Sequence, residues 1–77
     1  MPQFFFDLMV DGQVVPDPDG LPLAELRDAR FEAALALAEM MVVAIREENS
    51  RTMDVTIRNE GRKPLARIFI SIREDLN

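Results

Sequence analysis

Apolar and polar side chains alternate from Phe4 to Val10, with Phe4, Phe6, Leu8 and Val10 on one face and Phe5, Asp7 and Met9 on the other. A period of two over an aromatic-rich run predicts a β-strand. Asp11-Gly12 follows at once, a pair suited to the positive φ values of a two-residue hairpin turn, so Gln13 to Val15 is expected to return as a short second strand. Asp17-Pro18-Asp19-Gly20-Leu21-Pro22 is turn chemistry throughout and reads as a loop leading into a helix.

From Pro22 to Glu48 the period changes to three and four. Pro22 suits the first helical position, where its missing N–H has no partner to lose, and Glu25 and Asp28 favour the positive end of the helix dipole. Leu26, Ala29, Ala33, Leu37, Met40, Met41 and Ala44 form the stripe expected to lie on a sheet. A second stripe, Phe31, Ala34, Leu35, Ala38, Val42 and Ile45, occupies positions where a solitary small domain carries charge. The helix thus presents apolar side chains on every face of its middle third, and such a helix has to be covered twice. Its expected length of ~40 Å also exceeds that of strands of six to eight residues.

Beyond the polar turn Asn49-Ser50, Met53, Val55 and Ile57 alternate with Asp54, Thr56 and Arg58, predicting a third strand. Asn59 to Pro64 is a hairpin loop, and Leu65 to Arg73 a fourth strand with Ala66, Ile68, Ile70 and Ile72 toward the helix. The tail Glu74 to Asn77 is expected to fray. The predicted class is α+β: a single ββαββ domain with one long helix on a mostly antiparallel four-stranded sheet. An order of second, first, third and fourth strand makes every neighbouring pair antiparallel.

A chain of 77 residues has a small core and needs help from disulfides, metals or association. It contains no Cys and no His, which removes disulfides, thiolate metal sites and nitrogen-base catalysis together. Association is the remaining means. The net charge of −5 weighs against nucleic acid as a partner, although residues 1–45 sum to −6 and residues 46–77 to +1. The amino-terminal Met1-Pro2-Gln3 lacks the basic flank and apolar run of a secretory signal, and the uncharged runs are too short to span a bilayer, so a cytoplasmic protein without a membrane partner is expected.

Candidate chemistry is sparse. Placing Asp17, Asp19 and Gly20 on a calcium loop puts Val15 and Leu26 at two essential ligand positions, so the segment reads as a connector and no metal or other cofactor is expected. Gly12, Gly20 and Gly61 are isolated turn glycines. Glu47-Glu48 and Glu74-Asp75 have no apolar pocket to separate their pKa values, and no catalytic residue emerges. Arg58, Arg62, Lys63, Arg67 and Arg73 line the exterior of the last hairpin, a candidate anion surface with Phe5 and Phe69 as its only stacking aromatics.

Met1-Pro2, Phe4-Phe5-Phe6, Asp11-Gly12, Asp17, Asp19-Gly20, Leu21-Pro22, Glu25-Leu26, Ala29-Arg30, Glu32-Ala33 and Glu39-Met40-Met41 resemble, in order and spacing, a family of short bacterial proteins of unknown function widespread in alpha-proteobacteria. The resemblance covers nearly the whole chain and implies the same ββαββ topology, with no activity attached. Two departures stand out: Asp7 replaces a His usual after the aromatic strand, and Phe31 to Ile45 is less charged than in the family. A fainter similarity, over Phe4 to Val10, Asp17 to Pro22 and Ala29 to Ala44, is to HicB-like antitoxins, without their third strand before the helix or a DNA-binding appendage. The expected function is a non-catalytic interaction or regulatory module, a homodimer or higher homo-oligomer joined through the second helix stripe, with an unidentified protein as a further partner. The alternative is an antitoxin-like or RNA-associated binder using the basic hairpin.

Overall fold

The alternating runs become strands with the predicted faces. The computed structural model describes residues 1–47, 52–71 and 75, in the order β1 (Gln3–Val10), β2 (Gln13–Val15), β3 (Leu21–Pro22), α1 (Leu26–Arg46), β4 (Met53–Arg58) and β5 (Pro64–Ile70). The main sheet runs β2-β1-β4-β5 with every pair antiparallel, the order expected from the connections. Register aligns Val15, Leu8, Val55 and Ile68 across the helix-facing side, with Phe6, Ile57 and Ala66 in the next row.

The turns follow from backbone chemistry. Asp11 and Gly12 take φ of 50° and 83°, the left-handed pair that a tight two-residue hairpin requires. In the β4-β5 loop the left-handed residue is Arg62, at φ 64°, whereas Gly61 does not take a positive φ. Asn59 holds that loop closed: its carbonyl accepts the Arg62 N–H at 2.9 Å and its Oδ1 accepts the Lys63 N–H at 3.0 Å.

Between β2 and the helix the structure departs from the sequence expectation. Pro22 is not the first helical residue; Leu21 and Pro22 form β3, opposite Phe4 and Gln3 of β1, and the Leu23 N–H continues the ladder to the Pro2 carbonyl at 3.1 Å. The reason is that β1 outruns the three-residue β2, and an otherwise bare edge recruits the next segment able to pair with it. A proline is tolerated there because an edge strand needs no N–H on its outer side. The helix therefore begins at Leu26, with Asp28 accepting the Glu25 N–H at 3.1 Å as half of a reciprocal cap. The predicted end at Glu48, the Asn49-Ser50 turn, and Ile72 and Arg73 of the last strand lie outside the described residues.

Ala29, Ala33, Leu37, Met41 and Ala44 of α1 close onto Phe4, Met53, Val55 and Ile57, with Leu37 and Ile57 fully enclosed. Three alanines in the buried stripe let the helix axis approach the sheet closely. Cover is deepest over β4, where Met53, Val55 and Ile57 are buried, while Phe6, Leu8 and Val10 of β1 and Ala66, Ile68 and Ile70 of β5 are half-buried to either side.

Candidate functional site

Two surfaces hold the residues singled out by sequence. On α1 the second stripe stays open to solvent: Phe31 is 67 % exposed, Leu35 46 %, Val42 56 % and Ile45 42 %, with Ala34 and Ala38 exposed between them. The stripe is only partly behind the buried one. At about 100° per residue Ala34, Ala38 and Ile45 adjoin the buried stripe along one flank, Leu35 stands directly behind it, and Phe31 and Val42 lie between. Apolar side chains thus lie behind the buried stripe and on both flanks, with Val43, 51 % exposed, on the flank opposite Ala38, and Glu32 and Glu39 interrupting them.

The outer face of the sheet carries the charges. Arg58 donates from Nε to Asp7 Oδ2 at 2.6 Å and from a terminal nitrogen to the Arg62 carbonyl at 3.3 Å. Arg67 grips Asp54 with both arms, Nε to Oδ1 and a terminal nitrogen to Oδ2, each at 3.1 Å. Both pairs are diagonal neighbours on adjacent strands: Asp7 lies opposite Thr56, one outward position from Arg58, and Arg67 lies opposite Thr56, one from Asp54. Asp54 is buried, so the fork of Arg67 matches a carboxylate that has lost most of its water. Burial pushes the Asp7 carboxyl up, but the hydrogen bonds from Arg58 and the Asp17 backbone and the charges of Arg58 and Arg62 outweigh it and hold the group below the usual carboxylate range. The Arg62 guanidinium sits 5.3 Å from the Phe5 ring centre, and that of Arg67 4.8 Å from the Phe69 ring.

This arrangement occupies the candidate anion surface from within. Arg58 and Arg67 already serve carboxylates, Arg62 caps one of the two aromatics and Arg67 the other; the Lys63 backbone closes the loop, and Arg73 lies outside the described residues. Sequence separated the two faces but left the pairing unseen, because the partners of Asp7 and Asp54 depend on strand register.

The acidic loop has a structural use. Asp17 Oδ2 accepts the Phe6 N–H at 3.1 Å, while Oδ1 accepts those of Asp19 at 3.2 Å and Gly20 at 3.1 Å. The Asp17 N–H returns to Asp7 Oδ1 at 3.2 Å. Between β2 and β3 one carboxylate thus takes the ladder bond that a strand carbonyl would have taken. Gly20, at φ 74°, packs so near β1 that a Cβ would stand 2.9 Å from Phe5 Cε1 and 3.1 Å from the Phe4 carbonyl. Among the described residues no cluster of three acidic side chains is close enough to hold a metal ion. An apolar cleft of about 170 Å³ is lined by Met40, Val43, Ala44, Glu47 and Met53. No helix among the described residues is long and apolar enough to cross a membrane.

The fold and its surfaces define a small α+β domain with a half-covered helix and a sheet face that carries two aspartate–arginine pairs. The chain belongs to the family described as domain of unknown function DUF6894, whose model matches residues 3–71. No curated protein and no solved structure is significantly similar to it.

Proposed function

We propose that this chain is a non-catalytic interaction or regulatory module that acts as a homo-oligomer, most simply a dimer, through Phe31, Ala34, Leu35, Ala38, Val42 and Ile45, in a cytoplasmic setting. The observation that carries the proposal is the exposure of four large apolar side chains along the uncovered side of the helix, whose alanines permit a second helix to come close. Contiguous apolar surface of this kind marks a contact, and a small core gains the stability it lacks from association.

Light scattering and sedimentation over a range of concentrations test it, with Leu35→Glu as the probe. Leu35 is half-exposed in the single chain, so the substitution leaves the core intact but puts a charge into a dry contact. The variant is expected to have the monomer mass and a lower, concentration-independent Tm. A wild-type chain that stays monomeric at micromolar concentration, or a variant with unchanged mass and Tm, overturns the proposal. The antitoxin-like or RNA-binding reading draws less support, because two of the guanidiniums it would use for phosphates, those of Arg58 and Arg67, are engaged with Asp7 and Asp54.

A further inference from the structure

The two edges of the sheet are built differently. On the β1 side the edge is broken into β2 and β3, with Pro16 and Pro18 between them and a side chain filling the gap. Such an edge resists pairing with another strand. On the far side β5 is seven residues long, reads Pro-Leu-Ala-Arg-Ile-Phe-Ile, is bulged at Leu65 and regular from Ala66 to Ile70, and among the described residues pairs only with β4. Its one charge, Arg67, is matched by Asp54. The apolar, regular edge from Ala66 to Ile70 is a template for another strand.

The exposed helix flank lies on that same side. β2 and β4 are parallel with β1 between them, and α1 crosses from one to the other. Phe6 turns its side chain toward the core and its N–H toward Asp17 on the β2 edge. For an L-residue this sets the hand: viewed from the helix with both strands pointing up, β4 lies to the right of β2, the right-handed crossover usual for such units. In a right-handed helix running down this view, the residue after each buried one faces β5. Those residues are Ala34 after Ala33, Ala38 after Leu37, Val42 after Met41 and Ile45 after Ala44.

We propose that a second copy of this chain docks along β5, antiparallel β5 to β5 about a two-fold axis, so that one eight-stranded sheet carries two helices flank to flank. This deepens the homodimer reading and rests on it. Area favours the combined contact over the helix alone. Leu35 points away from the sheet, so Phe31, Val42 and Ile45 at the exposures given supply roughly 300 Å² at about 150–200 Å² per large side chain, well under half of the ~800 Å² per partner of a standard interface. The β5 backbone edge with Leu65 and Phe69, 38 % and 65 % exposed, supplies the remaining surface. Charge then selects the register. Centring the axis on Arg67 would oppose two like charges, whereas centring it on Ile68 sets each Arg67 opposite the other copy's Phe69, extending the cation–π contact already present within one chain.

Amide hydrogen exchange of β5, read residue by residue at micromolar and near-millimolar concentration alongside the solution mass, tests this. In a monomer, alternate amides from Ala66 to Ile70 point outward and exchange fast. The proposal expects those amides to slow by at least ~10-fold as dimer forms, with Ile45→Glu returning them to the fast rate. A dimer whose alternate β5 amides stay fast overturns the edge contact and leaves the helix-flank dimer standing. A chain monomeric throughout, its edge reserved for some other protein's strand, overturns both.

Discussion

At the scale of single residues, two aspartates hold the part of the fold that strands alone do not. Asp17 accepts three backbone N–H groups from both sides of the gap between β2 and β3. Asp17→Asn keeps Oδ1 for Asp19 and Gly20 but presents an NH₂ group to the Phe6 N–H, while Asp17→Ala abandons all three donors. The alanine variant is expected to lose about 1–3 kcal/mol in chemical denaturation and the asparagine variant less. Asp7 gives a pH signature. Its folded pKa lies below the ordinary value, so the unfolded chain takes up a proton first; the stabilisation is complete above about pH 4–5 and is lost as pH falls through the depressed folded value. Denaturation curves of Asp7→Asn are expected to show lower stability at pH 7 and a smaller further loss between pH 5 and pH 2 than wild type. Equal acid sensitivity in the two proteins would remove Asp7 from this account. Neither role was legible in sequence: Asp17 read as loop and Asp7 as an outward strand residue, because the groups they bind come from neighbouring strands.

Among elements, the helix was read best along its buried stripe and least well at its start. Ala29, Ala33, Leu37, Met41 and Ala44 are all buried, as the spacing of three and four required. Leu37 is enclosed on all sides, so Leu37→Ala is expected to lower stability by about 2–5 kcal/mol, measured by thermal or urea unfolding. A loss below 1 kcal/mol would mean that the helix is not seated there. Pro22 suited a helix start on local grounds and instead joined the sheet, since the unpaired length of β1 offers Leu21 and Pro22 a partner that no local rule contains. In the last hairpin Gly61 lies in the turn, as its sequence context indicates, but the left-handed conformation falls to Arg62, with its side chain over Phe5.

For the whole molecule, one helix on a four-strand width leaves cover uneven. Its position over β4 leaves the inner faces of β1 and β5 half-buried and brings the open flank of α1 to the side where the sheet edge is regular. Separately, each feature is ordinary: scattered apolar residues on a surface are normal, and every open sheet has edges. Their coincidence on one side is what gives the assembly proposals a definite geometry. The same view accounts for part of the basic hairpin, whose Arg58 and Arg67 close upon Asp7 and Asp54 on the outer sheet face.

By itself the sequence determined the element order apart from β3, the two-faced strands, the Asp11-Gly12 turn and the buried stripe, because each follows from a local period or from residue stereochemistry; the shortness of the connections suited the all-antiparallel strand order without fixing it. Only the tertiary structure decided which carboxylate meets which guanidinium, that Asp17 bridges the broken edge, that Pro22 belongs to the sheet, and that the free helix flank and the regular edge share one side. These are matters of register and hand, set when segments distant in sequence pack together, and no window along the chain contains both partners.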